Sequence, residues 1–116
     1  MRQNFKELRR VLKTLNNLEN ELRDQFDINL DEGNVLCLLS EKPFKAMDIP
    51  YQLGIAISVI SRKLGPLEDK ILIERETGKR DAREVYFKIT NKGKALLEAI
   101  QASKINLPVI SIEDDD

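Results

Sequence analysis

The sequence predicts a mainly α fold with one small β-hairpin, and three observations predict it. Apolar residues recur at helical spacing: Phe5, Leu8, Leu12, Leu15, Leu22 and Phe26 keep one stripe, and Ile57, Ile60, Leu64 and Leu67 keep another. Only two runs have strand character. They are Ile71-Leu72-Ile73-Glu74-Arg75 and Glu84-Val85-Tyr86-Phe87-Lys88-Ile89, the second alternating with Val85, Phe87 and Ile89 on one side. The composition agrees, because 41% hydrophobic residues with only 5% aromatic leave a core of Leu, Ile and Val, the mixture helix packing favours. A chain of 116 residues is one domain with a modest core, which a partner would help.

The first helix is expected from Asn4 to about Asp27, with Leu18 beside its stripe. At over five turns it is longer than so small a domain needs to cover its own core. Part of the Phe5, Leu8, Leu12, Leu15 stripe is therefore expected to face another chain, the alternative being a helix packed wholly within its own subunit. Asn29-Leu30-Asp31-Glu32 has the form of a capping box, Asn29 being the N-cap, and starts a second helix that carries Val35, Leu36, Leu38 and Leu39 and ends near Ser40. Cys37, between Leu36 and Leu38 with no basic neighbour in sequence, reads as a buried and inert core thiol. Glu41, Lys42 and Pro43 mark a loop.

A third helix is expected with its N-cap at Asp48, which puts Pro50 in the first turn, where a proline is tolerated. Leu53-Gly54-Ile55 then supplies a turn in which Gly54 takes a positive φ and aims the next helix. In that fourth helix Ile57, Ile60, Leu64 and Leu67 face inward while Ser58, Ser61 and Arg62 face out, and Pro66 predicts a kink near its end. The two strands follow, joined by the polar, basic tip Thr77-Gly78-Lys79-Arg80-Asp81-Ala82-Arg83. Helix, turn, helix and hairpin in this order make a winged helix-turn-helix. Thr90 is a suitable N-cap for a last helix from about Asn91 to Ser103, with Ala95, Leu96, Ala99 and Ile100 on its apolar face. Pro108 forbids its continuation, and the alternation of Ile105, Leu107 and Val109, followed by Ile110 and Ile112, predicts an extended arm. The plan is thus a single domain over 1–116: an N-terminal helix at 1–27, a winged-helix core at 28–90, a C-terminal helix and arm at 91–112, and a disordered acidic tail at 113–116.

The formal charge is −1, but it is unevenly spread. Residues 62–94 hold ten basic and six acidic side chains, net +4, whereas 1–61 sum to −1 and 95–116 to −4. One cysteine and no histidine exclude an internal disulfide and the usual zinc-ligand sets, so no metal or other cofactor is expected. With no nucleophile elbow and no phosphate-cradling glycine loop, an enzyme is not expected either. The N-terminus has no apolar leader and no run approaches the ~20 residues that span a bilayer, so the expected location is cytoplasmic with no membrane partner. A helix in a major groove reads base edges with its outward face and holds phosphates with hydroxyls and cations. Ser58, Ser61 and Arg62 meet that need, and Val59 could touch a thymine methyl.

Leu53-Gly54-Ile55, Ser58, Ser61-Arg62, Leu67-Glu68, Leu72-Ile73-Glu74-Arg75, Asp81-Ala82-Arg83 and Ile89-Thr90-Asn91-Lys92-Gly93 follow one another in an order that resembles the MarR family of bacterial transcription regulators. The resemblance covers roughly Ile28 to Ile100, and Asp81-Ala82-Arg83 with the Thr90 to Gly93 spacing is its most specific part. It implies a sequence-specific regulator that binds double-stranded DNA as a homodimer on an inverted repeat, in some relatives under a small-molecule effector. It also implies that Phe44 adds a short bridge to the wing, that Asp81 orients Arg83 for the minor groove, and that Lys79 and Arg80 add phosphate contacts. Typical members dimerise through the first helix and two C-terminal helices. This chain is shorter there and is similar to short relatives such as the staphylococcal accessory regulators, which rely on the first helix. Phe5, Leu8, Leu12 and Leu15 are therefore the expected seam, with Ile105, Leu107 and Val109 closing over it. The competing expectation is a winged-helix module whose apolar stripe and acidic tail bind protein, with little DNA binding.

Overall fold

The computed structural model describes residues 4–103 and residue 105. Among the described residues, five helices and three strands run in the order α1 (Phe5–Phe26), α2 (Leu30–Leu39), β1 (Phe44–Lys45), α3 (Asp48–Leu53), α4 (Ile57–Asp69), β2 (Ile73–Thr77), β3 (Val85–Ile89) and α5 (Asn91–Ala102). The strands form one antiparallel sheet in the order β1-β3-β2, with Phe44 opposite Phe87 and Arg75 opposite Phe87 on the other side. This is the mainly α fold with a small wing, and β1 is the short bridge at Phe44.

Most starts and stops follow from caps that the sequence displays. The Asn4 side chain accepts from the Lys6 amide and Asp27 ends α1 in the left-handed region. At α2 the capping box closes in both directions: Asn29 Oδ1 accepts from the Glu32 amide at 2.8 Å, and the Asn29 amide donates to Glu32 Oε1 at 2.9 Å. Glu19 reaches over from α1 and accepts the Leu30 amide at 2.6 Å, so two carboxylates sit at the positive end of α2 and one of them fixes α1 against it. Gly54 has φ 65°, the left-handed turn expected between α3 and α4.

The Thr90 to Gly93 spacing has a physical cause. Thr90 Oγ1 accepts the Gly93 amide at 3.0 Å and donates to the Ile71 carbonyl at 2.6 Å, while the Thr90 amide donates to the Leu72 carbonyl at 3.0 Å. One residue thus caps α5 and ties it to the start of the wing. Gly93 lies so close to the Leu72 carbonyl and the Ile89 side chain that a Cβ there would collide with both.

The core gathers Leu18, Leu22, Ile28, Val35, Leu36, Leu39, Ile49, Ile60, Leu67, Ile73, Phe87 and Ile100, with Leu96 and Leu97 packed against it. Several expectations are corrected here. Ile57 has the angular position of the buried stripe but is 59% exposed, because it is the first residue of α4 and its side chain leans back past the helix start, whereas Ile60 in the same turn is fully buried. Cys37 is exposed rather than buried, since the face of α2 between Leu36 and Leu38 looks away from the other helices. The first wing strand begins at Ile73, not Ile71: Ile71 sits in a turn with φ 59° and is exposed. The N-cap of α3 is Met47, without a side-chain bond, which still leaves Pro50 in the first turn. Ala95 and Ala99 of α5 are exposed, and Leu97 takes the contact instead. α4 runs through Pro66 as far as Asp69, with the Lys70 amide bonding back to the Pro66 carbonyl.

The long first helix divides at its middle. Leu18 and Leu22 are buried in the core, while Phe5 is 79% and Leu12 51% exposed, and Leu8 and Val11 are also uncovered. Leu15, at the division, is half-buried. Ile105, assigned from the sequence to the seam, is instead buried in its own chain's core. Leu107, Val109, most of the arm and the tail at 113–116 lie outside the described residues.

Candidate nucleic-acid interface

The second helix of the helix-turn-helix presents Ser58, Ser61 and Arg62 to solvent. Its apolar side chains Ile60, Leu64 and Leu67 are buried against the core, which fixes the rotation of α4 and leaves the opposite face no choice of direction. Ser61 Oγ donates to the Ser58 carbonyl at 3.3 Å and Arg62 Nε donates to the same carbonyl at 3.1 Å. Arg62 is therefore steadied at Nε, and its two terminal nitrogens form no ion pair among the described residues, so a bidentate acceptor could be met there. Val59, expected to face out, is half-buried.

At the wing, the loop between β2 and β3 is closed by the Gly78 amide on the Glu84 carbonyl at 2.9 Å and the Glu84 amide on the Asp81 carbonyl at 3.0 Å. Asp81 holds Arg83 three times over. Its Oδ1 accepts from the Arg83 amide at 2.9 Å and from Nε at 3.1 Å, and its Oδ2 accepts from Nη2 at 3.3 Å. The Arg83 guanidinium, and then its backbone amide, hold the Asp81 carboxyl below the usual carboxylate range, so the acid is ionised at neutral pH. Lys79 and Arg80 are exposed and make no ion pair among the described residues.

The neighbouring charges are organised differently. Lys45 bonds Glu84 at 3.1 Å, and Tyr86 donates to the same carboxylate at 3.1 Å. Arg75 grips Glu68 with two bonds, and Lys88 bridges Glu74 and Glu76. Each of these cations is held above its ordinary pKa by the carboxylate it meets. They tie the strands of the sheet to one another and the sheet to α4, whereas Arg62, Lys79 and Arg80 make no ion pair among the described residues. Charge counting gave Arg75 and Lys88 the same weight as Arg62, Lys79 and Arg80; the fold shows which of them are paired with carboxylates.

The wing and the start of α4 share one surface. A shallow cleft of Lys45, Ala46, Met47, Arg83 and Val85 meets, at Met47, a second one bordered by Tyr51, Gly54, Ala56 and Ile57. Sequence reasoning missed Met47, Tyr51 and Ile57, which leave 71%, 84% and 59% of their surfaces exposed. It also missed Val11 in the α1 stripe, which the i, i+3 spacing from Leu8 could have supplied. No helix among the described residues is long and apolar enough to cross a membrane, and no cluster of potential metal ligands occurs among them.

A model of the family described as HxlR-like helix-turn-helix matches residues 32–105. The HTH-type transcriptional regulator TcaR of Staphylococcus aureus is 30% identical over 80 residues, which cover 67% of this chain and 53% of that protein. The chain thus spans about half the length of the curated relatives it matches. Among solved structures, the S. aureus MepR–DNA complex superposes with TM-score 0.73 at 26% identity, covering 87% of this chain and 77% of that one. Apo MarR from E. coli gives 0.74 at 23% identity over 88% and 76%, a likeness of fold. The resemblance to MarR regulators drawn from the motifs agrees with these neighbours.

Proposed function

Because this chain belongs to the HxlR-like helix-turn-helix family, with the fold of the MarR regulators, we propose that it is a sequence-specific transcription regulator that binds double-stranded DNA as a homodimer. The observation that carries the reading is that the start of α4 and Arg83 of the wing border adjoining clefts that meet at Met47, while Arg62 on the outward face of α4 and Lys79 and Arg80 at the wing tip are exposed and make no ion pair among the described residues. That MepR, 26% identical, is seen on DNA supports it. In this reading α4 enters the major groove, Arg62 takes a guanine or a phosphate, and Ser58 and Ser61 bind phosphate oxygens. Arg83, held in place by Asp81, enters the adjacent minor groove, with Lys79 and Arg80 on the phosphates beside it. No bond-making chemistry is assigned to the chain, and its place of work is the cytoplasm.

One recognition helix reads too few base pairs to select a site. Two copies related by a two-fold axis would set their helices about 34 Å apart, one turn of B-DNA, and read an inverted repeat. The uncovered half of α1 supports such a pairing, since Phe5, Leu8, Val11 and Leu12 form an apolar stripe that no other described residue covers. The test is duplex binding measured across a salt series. Affinity should fall steeply as salt rises, because each neutralised phosphate releases a counterion. Absence of duplex binding at low salt would overturn the reading in favour of a protein-interaction module.

A further inference from the structure

The displacement of Ile57 from the core leaves a branched aliphatic side chain on the surface that the preceding reading assigns to DNA. We infer that Ile57 recognises the 5-methyl group of a thymine, giving each half-site a fixed preference for T at one position. The inference rests on the DNA-binding reading and deepens it.

Ile57 is the first residue of α4, and the N-terminal residues of a recognition helix are those that meet base edges. At 100° per residue it stands about 40° from Ser61, so it borders the outward polar face rather than opposing it. The major-groove edge of a base pair offers hydrogen-bonding groups and one apolar group, the thymine methyl. An isoleucine can answer only the last. It is also stiff at χ1, so little freedom is lost when it is pinned against a methyl group.

The surroundings fit a nucleic acid better than a protein. Met47 and Tyr51 extend the apolar ledge only a short way before it reaches Arg83, and Ser61 stands beside Ile57 on α4. So small an apolar spot, with the Arg83 cation at its edge, complements a polyanion whose groove wall carries isolated methyl groups. Val59, the aliphatic residue that sequence reasoning chose for this task, is half-buried and two residues further into the helix.

The experiment uses the full chain and a duplex that the chain itself selects from a random-sequence duplex library. Each thymine of that duplex is replaced in turn by deoxyuridine, which removes the methyl and keeps every hydrogen-bonding group. For the unaltered chain, one position per half-site should lose about fourfold in affinity, the value of one buried methyl-sized group. Ile57→Ala should abolish that loss and Ile57→Val should retain most of it, so the two changes couple in a double-mutant cycle. If Ile57→Ala fails to fold, Ile57→Ser, whose hydroxyl has no methyl group to offer, takes its place with the same two outcomes. Salt-dependent binding with no sensitive thymine, or a penalty that persists in Ile57→Ala, overturns the assignment of Ile57 while leaving the DNA-binding reading intact. Selection of no duplex overturns both.

Discussion

Among the described residues, two clusters of large apolar side chains lie at the surface, and the difference between them is one of extent. On α1, Phe5, Leu8, Val11 and Leu12 make a continuous stripe over the half of the helix that outruns the core. Of the charges there, Glu7 and Arg10 pair at 3.5 Å, Lys6 and Lys13 stand on the opposite face, and Arg9 borders the stripe. Around α3 and α4, by contrast, Met47, Tyr51 and Ile57 form a small ledge that runs into the cleft bordered by Arg83. An elongated stripe with helical spacing suits a second helix, which can bury all of it at once. A short ledge beside one arginine suits a groove that offers isolated methyl groups. Exposure alone would have treated the two as equivalent; their extent tells them apart.

The largest expected effect tests the first region. Each apolar side chain fully buried at a seam contributes about 1.5 to 3 kcal/mol, and a two-fold axis uses each residue twice. Leu12→Asp also places an unpaired charge in that seam, so it should convert a dimer into a monomer at micromolar concentration while leaving the fold of the subunit unchanged. Sedimentation of the intact chain and the variant decides it. A monomeric intact chain, or a variant still paired, would break the distinction between the two regions.

Next in size is Arg62→Ala, which should cost roughly 1 to 3 kcal/mol of duplex affinity if Arg62 reads a base, and should relax one operator position. If it holds a phosphate, the loss should be uniform across sequences. Affinity and specificity both unchanged would remove α4 from the interface. The mass of the protein should not change, which separates this region from the stripe on α1.

Asn29→Ala should touch neither surface. It removes the N-cap of α2, costs about 1 kcal/mol of stability and lowers the thermal midpoint without altering mass or duplex specificity. A change in either of those would mean that the capping box and Glu19 transmit more between α1 and the core than packing alone requires.

What was legible in the sequence divides along the same physical line. Caps and periodicity act locally, so Asn4, Asn29 with Glu32, Gly54 and Thr90 marked their elements correctly. Periodicity reports the angle of a side chain but not its depth. Ile57 was therefore misjudged, whereas Cys37 was misplaced because its neighbours in sequence were weighed above its angle, which sets it with Asn34 on the outer face of α2. The strand start slipped for a related reason: Ile71 has high β-propensity but is used in a positive-φ turn, which the tie from Thr90 to its carbonyl holds in place. Nor could charge counting distinguish Arg75, spent on Glu68, from Arg62, because pairing across seven residues or more is set by tertiary structure.

The smallest effects belong to the wing. Arg83→Ala should leave folding intact, because the side chain is solvent-exposed, and should weaken duplex binding while reducing the salt slope by about 1. Asp81→Asn should do less, since an amide oxygen can still accept from Arg83 while the charge that steadies the guanidinium is lost. The pH dependence separates orientation from direct contact. Arg83 lowers the pKa of Asp81, so the pair is fully formed above the ordinary carboxylate value near 3.8 and is lost only as pH falls through the lowered one. The affinity difference between the intact chain and Asp81→Asn should therefore stay constant from neutral pH down to about pH 5. Binding isotherms on one duplex across that range measure it. A difference that closed within the range would assign the titration to another group and leave Asp81 with no part in positioning Arg83.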